Sequence, residues 1–408
     1  MNRNSIKNTA FAILTVAGCA LGQPVDGAPP RDIFSFGGDV RVRYDTIDNF
    51  MTAGQTGPYE TYSRFRTRVW GLAQVNDELS TCLKLGNESR NFGNAPTKTH
   101  KNKFPDELFV DNFYVEWKND TYGIKAGRQD IMKEPYSILC DGTLGDGSRS
   151  FYFDAVTLTK RFGDKSALDL IGAWNHQRDD YSVGHVWQAT NYAERDDEGR
   201  AYTKKDDGAL IAYATVREFP SVPFDVYWIF KDETEYYAVT GDFPGRNFHT
   251  VGARLTPRLL DWLTYEMEAA YQVGEVDALD TMKARDISAG LFYSGLIAKA
   301  QNTLWKPSLK VAFLYLSGEN DNHASTADGN TDTCWNQVYA DTSWFSDVPD
   351  PMYGGYKWGN LLCPYAVVGV VPGKGHLLSL EGGPLYVADK NRADDDRYRG
   401  FFGKGRYW

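Results

Sequence analysis

The feature that most limits what this chain can fold into is the order of its connections. Between Phe34 and Gly318 the residues divide into thirteen candidate strands, 9 to 15 residues long and rich in Val, Ile, Tyr, Phe and Trp. Long polar segments alternate with tight turns between them. DTIDNFMTAGQTGPYET follows the first strand and Asn76-Asp77-Glu78 the second. Residues 92–107 and then Asn119-Asp120 come next, followed by residues 132–149 and Gly163-Asp164-Lys165. Residues 177–207, Pro220-Ser221, residues 233–246 and Pro257-Arg258 continue the series. Membrane barrels of the bacterial outer membrane join their strands by short periplasmic turns and long extracellular loops. A soluble sandwich has no reason to keep such an order.

The expected fold is therefore all-β, an antiparallel up-and-down transmembrane β-barrel. Leu361 to Val371 reads as a further strand, and Tyr356 to Trp408 brings the total to about 16–18. Composition agrees: 14% of residues are aromatic, while a mean hydropathy of −0.48 is too polar for a bundle of membrane helices. After Leu21 no apolar run approaches the ~18 residues that a spanning helix needs.

The chain opens like an exported precursor. Arg3 and Lys7 precede the apolar Thr9 to Leu21, and the small residues Ala20 and Gly22 suit cleavage before Gln23. The expected organisation is a signal peptide at 1–22, a periplasmic lead at 23–33 and the barrel at 34–408. Val16-Ala17-Gly18-Cys19 also has the form of a lipoprotein processing box, which would leave Cys19 as a lipidated first residue. Cys82, Cys140, Cys334 and Cys363 remain, without the CxxC spacing of a zinc site. A Cys334–Cys363 bridge across a loop and unpaired thiols are both compatible with this spacing.

Facing follows from the period of two. Phe36, Gly38, Val40, Val42 and Tyr44 share one face of the first strand, and Asp39, Arg41 and Arg43 the other. Arg64, Arg66 and Arg68 repeat the pattern on the second strand. A lipid-facing surface must be apolar while a lumen tolerates charge, so these arginines are expected to point inward. Similar phasing adds Lys84, Arg90, Arg254 and Lys310. Trp70 and Leu72 fall on the arginine face, which implies a bulge, a plug contact or a misphased half-strand. The structural alternative for each cation is a cross-strand carboxylate partner, for which Asp39, Glu266 and Glu268 are candidates.

Gly127-Arg128-Gln129-Asp130, then Gly147-Ser148-Arg149-Ser150-Phe151-Tyr152-Phe153-Asp154-Ala155-Val156, and later Tyr315-Leu316-Ser317-Gly318-Glu319-Asn320-Asp321, resemble the alginate export family of outer-membrane porins. The likeness runs from about Phe34 to Asp321 and is densest from Tyr122 to Phe162. It implies a barrel of about eighteen strands whose electropositive pore lets an anionic polyuronate cross the outer membrane of a Gram-negative-type bacterium. Arg128 matches as a lumen or rim charge, and Arg149 with Asp154 as strand-entry residues. Fewer strands are legible here than the family has, and the final RYRGFFGKGRYW alternates poorly, which suits a divergent or C-terminally incomplete member.

Other chemistries find less support. His100, His176, His185, His249, His323 and His376 lie mostly at strand ends or in loops without a GxSxG, so no enzyme is expected. Glu266 and Glu268 share a strand face at a spacing compatible with glycosidase work, but balance lumen arginines more simply. Asn320 to Asp332 (NDNHASTADGNTD) offers oxygen ligands for Ca²⁺ without the Glu of the helix-loop-helix version; a solvated loop is the simpler reading, and no cofactor is expected. A net charge of −10 in an exported chain argues against nucleic acid. The expected partners are an anionic polysaccharide, outer-membrane lipid and periplasmic export proteins. The expected function is passive diffusion of a polyuronate past Arg41, Arg43, Arg64, Arg66, Arg68 and Arg128, whose planar forks match carboxylates at any relevant pH. A general porin for small anions or oligosaccharides, or a plugged surface barrel binding a partner through its loops, are the alternatives.

Overall fold

The computed structural model describes residues 13–14, 33–47, 60–94, 108–134, 138–140, 152–163, 165–176, 182–183, 206–235, 244–280, 282–318, 331–339, 359–389 and 398–407. Sixteen principal strands run through them. They are β1 (Phe34–Ile47), β2 (Glu60–Gln74), β3 (Leu79–Asn94), β4 (Leu108–Lys118), β5 (Tyr122–Gln129), β6 (Phe153–Phe162), β7 (Ser166–Asn175) and β8 (Asp207–Val216). The second half comprises β9 (Phe224–Glu233), β10 (Arg246–Leu255), β11 (Leu263–Val276), β12 (Arg285–Lys299), β13 (Ser308–Leu316), β14 (Leu361–Gly373), β15 (His376–Tyr386) and β16 (Tyr398–Tyr407). Each is antiparallel to the next in the sequence. The fold is an up-and-down transmembrane β-barrel, and sixteen is the lower bound of the expected range. Such a sheet meets its backbone hydrogen-bonding needs between strands, the condition for crossing hydrocarbon without helices.

Short stretches decorate this frame. Arg258–Leu260 pairs with the start of β11, and Ser182–Val183 with the start of β4. Ile13–Leu14 lies antiparallel to β1 opposite Arg43 and Val42.

Alternation along the strands sorts the two faces. Phe36, Val40 and Tyr44 stand on the outside of β1 at 71%, 51% and 53% exposure, whereas Arg41 and Arg43 between them are 6% and 4% exposed. The same phasing leaves Val69, Val115, Val156, Leu158, Leu170, Leu210, Val251 and Val311 exposed around the wall. A continuous apolar exterior of this extent in water would drive association, and it is the surface that a bilayer requires.

The interior is divided. Ile131, Ile138 and Leu139, which follow β5, and Trp335, Val338 and Tyr339, which follow β13, pack with the inward Phe153, Ile171, Ile211, Tyr227, Ile229, Phe248, Leu291 and Leu314. The two inward-folded segments are joined to each other. Leu139 and Tyr339 form a parallel bridge: Cys140 N donates to Tyr339 O at 2.7 Å and Tyr339 N to Ile138 O at 3.0 Å. Full burial of each such side chain contributes about 1.5–3 kcal/mol, so the inner wall of β6 to β14 carries an apolar core.

Polar anchors fix that core to the wall. Lys231 on β9 donates to Val338 O at 2.9 Å and pairs with Glu233 at 2.8 Å. Gln272 on β11 donates to Asn336 O at 2.8 Å and accepts from Asn336 N at 2.9 Å. Tyr339 Oη donates to Asp207 on β8 at 2.9 Å, and Arg246 on β10 reaches Asn336 Oδ1. Deeper towards the short turns, Arg254 Nη1 donates to Glu134 O at 3.1 Å and Lys133 pairs with Asp169 at 2.7 Å. Two polar surfaces remain on the inside: the wall of β1 to β5, and the group Asp225, Arg254, Glu266, Glu268 and Lys310 on β9 to β13.

Candidate functional site

Register builds the polar wall. Asp39, Arg41 and Arg43 on β1 stand opposite Arg68, Arg66 and Arg64 on β2, and Arg64, Arg66 and Trp70 stand opposite Arg90, Glu88 and Lys84 on β3. Like charges directly opposite one another destabilise a sheet unless acids intervene. Glu88 meets Arg64 at 3.5 Å, while Asp39 takes Arg66 at 3.4 Å and Arg68 at 2.7 Å. Asp111 on β4 pairs with Lys84 at 3.0 Å, and Asp130, just past β5, holds the same ammonium at 3.0 Å. Asn112 Nδ2 donates to Asp130 at 2.8 Å.

Exposure splits this wall in two. Arg41, Arg43, Arg64 and Arg66 are all below 9% exposed, a packed cationic cluster on the long-loop side. Nearer the short turns the side chains open: Arg68 is 18% and Asp39 27% exposed, and Lys84 and Asp130 are 13% and 25%. Trp70 sits amid this open group and is half-buried. The β1–β2 register runs unbroken from Phe34 to Ile47, so neither a bulge nor a misphased half-strand places Trp70 on the arginine face. Gly37 does. A Cβ there would come within 2.5 Å of the indole Cε2 and Cζ2, so only glycine lets the ring lie against the wall.

The other expected path residues divide by environment. Arg128 is 5% exposed, and its register partners are Asp154 and Phe113, the latter 58% exposed. Its guanidinium grips both oxygens of Asp154 at 2.9 Å, donates to Val110 O at 3.1 Å and stacks 3.6 Å over the Tyr152 ring. Asp154 is thus held by Arg128; Arg149, its expected companion, lies outside the described residues. Arg254 and Lys310 face the interior across from the arginine wall and share Glu266, at 3.6 Å and 3.0 Å. Glu268 accepts from Tyr227 Oη at 2.9 Å. Glu266 is therefore a counter-charge, as the structural alternative supposed. Arg90 takes its expected register position on β3.

Sequence reasoning missed Glu88, Asp111, Asp130 and Asn112. Glu88 shares a strand parity with Lys84 and Arg90, which was a usable signal; Asp111 and Asp130 come together through pairing that no local pattern reveals. Cys82, Cys140, Cys334 and Cys363 are thiols, so the Cys334–Cys363 bridge is not formed. Of the loop at Asn320 to Asp332 only its last two residues are described, and Asp332 Oδ1 accepts from Cys334 N at 3.0 Å.

No family model matches the chain, and no curated protein matches it. Solved structures similar to it include Pseudomonas putida OprB at high pH, with 9% identity, 92% of this chain and 93% of that one covered, and a TM-score of 0.46. Outer-membrane expressed OmpT of Vibrio cholerae matches at 12% identity over 93% and 99% of the two chains, with a TM-score of 0.43. Salmonella typhi OmpF in complex with daunomycin matches at 11% identity over 92% and 97%, with a TM-score of 0.43.

Proposed function

We propose that this chain is a porin-type channel in the outer membrane of a Gram-negative-type bacterium, and that it passes an anionic polysaccharide of the alginate-like polyuronate class by passive diffusion. The observation that carries this reading is the cationic row on the inner wall of β1 to β3, which the apolar core on β6 to β14 does not include. Between Asp39 and Arg43 on β1 and between Arg64 and Arg68 on β2, the inward positions carry Arg41, Arg43, Arg64, Arg66 and Arg68 against Asp39. A low-dielectric wall focuses the field of such a cluster along the route, so packed arginines attract polyanions without touching them. Arg68, Lys84 and, on β13, Lys310 are 18%, 13% and 23% exposed and each is already paired with an acid, so the contact that any one of them offers a carboxylate is weak. Successive weak contacts let a polymer enter without being trapped.

The segments at 131–134, 138–140 and 331–339 favour a second reading, a barrel filled from inside that binds partners through its loops. Single-channel recording of the refolded protein in planar bilayers under a salt gradient separates the two. Anion selectivity, block by polyuronate, and loss of both in an Arg64→Ser, Arg66→Ser, Arg68→Ser variant are expected. Ohmic conductance indifferent to these changes points to a general porin, and electrical silence points to the filled barrel.

A further inference from the structure

The open part of the polar wall has a composition that attraction of anions does not explain. Arg68 and Lys84 are its cations, yet Asp39, Asp111 and Asp130 hold them. With Arg66, which also reaches Asp39 at 3.4 Å, three cations are paired with three acids beside Trp70. A carboxylate gains little there, because the cations are already committed and the nearest acids repel it.

We infer that Trp70 and its surrounding ion pairs form a saccharide-binding subsite near the short-turn mouth of the lumen, one that reads the pyranose ring and its hydroxyls rather than a carboxylate. A pyranose presents an apolar face of C–H bonds and a rim of hydroxyls that both donate and accept. The indole, pressed against the backbone at Gly37, offers one flat apolar face to the lumen. Around it stand Asp39 and Asp130 as acceptors, Arg68 and Lys84 as donors, and Asn112, which has both. Their mutual hydrogen bonds fix these groups before a ligand arrives, which lowers the entropy lost on binding. Arg68 is two residues from Trp70 on the same face, and Lys84 is its cross-strand partner, so both lie within reach of hydroxyls on a ring stacked on the indole. The inference deepens the channel reading and rests on it only for a saccharide's access to the lumen.

Equilibrium titration in detergent micelles tests this without requiring conduction. The probes are a neutral β-1,4-linked glucose hexasaccharide and a hexauronate of equal length. The wild-type protein is expected to bind the neutral hexasaccharide, Trp70→Ala to weaken binding by about tenfold, and Trp70→Phe to retain most of it. Gly37→Ala keeps the indole but pushes it off the wall, and is expected to weaken binding comparably; heat-modifiable migration checks that each variant folds. Absence of neutral-sugar binding by the wild type, or unchanged affinity in both Trp70→Ala and Gly37→Ala, overturns the subsite and leaves the anion reading standing. Equal affinity for the two probes, lost together in Trp70→Ala, supports the subsite while counting against polyuronate selectivity.

Discussion

Gln272 is the point at which the interior core is most simply loosened. It is fully buried and holds both backbone groups of Asn336, with a further bond from its Nε2 to Thr250 Oγ1 at 3.2 Å. Gln272→Met keeps length and approximate volume but removes every one of these bonds. The Asn336 N–H and C=O then lie in a dry site without their partner, at about 1–3 kcal/mol each, or ~2–6 kcal/mol together. Detachment of the segment is no cheaper. It would expose Trp335, Val338 and Tyr339, each 3–4% exposed and worth about 1.5–3 kcal/mol of burial, so the segment stays and the loss appears in stability. Urea unfolding of the refolded protein in lipid vesicles, followed by tryptophan fluorescence, reads the shift directly. A Gln272→Met protein within about 0.5 kcal/mol of wild type would mean that water reaches Asn336 and that the core is not dry.

Two further outcomes are expected. Arg128→Leu breaks the bidentate pair with Asp154, which is 30% exposed, and should cost about 1.5–3 kcal/mol in the same unfolding assay, with most of it restored by adding Asp154→Leu, while ion selectivity stays at the wild-type value. Selectivity that collapses along with the pair would place Arg128 in the ion path after all. Val251→Lys puts an ammonium on the lipid face midway along β10 and should cost about 2–4 kcal/mol; a wild-type unfolding midpoint would deny that this face meets hydrocarbon.

Most of the wall was legible because its information is local. Val40, Arg41, Val42 and Arg43 declare their faces by alternation alone, and a period of two leaves one arrangement once lipid is outside. The strand ends near the short turns were equally clear, since Asn76, Asn119 and Gly163 announce reversals within a few residues. The inward-folded segments were not legible. Residues 131–140 and 331–339 have no period, and their anchors span 120 residues from Glu134 to Arg254 and 107 from Lys231 to Val338. Trp70 was read as an irregularity because the second strand alone gives no sign of Gly37 beneath it. The cations of the row were visible as a pattern along strands, as was Asp39 on β1; their other acids come from β3, β4 and the end of β5, and only three-dimensional neighbourhood shows which arginines remain reachable.

The bridge between Leu139 and Tyr339 has a kinetic consequence. Two loops that emerge from different hairpins would ordinarily fluctuate on separate clocks and contribute two relaxations to the current through a pore. Here Cys140 and Tyr339 hand hydrogen bonds to the opposite segment in both directions, while Phe153 closes against the Tyr339 ring at 4.9 Å. Motion of one segment is therefore motion of the other. In the proposed channel, current noise should carry a single corner frequency, and a change on β11 should retime the residues that follow β5, more than a hundred positions earlier in the chain.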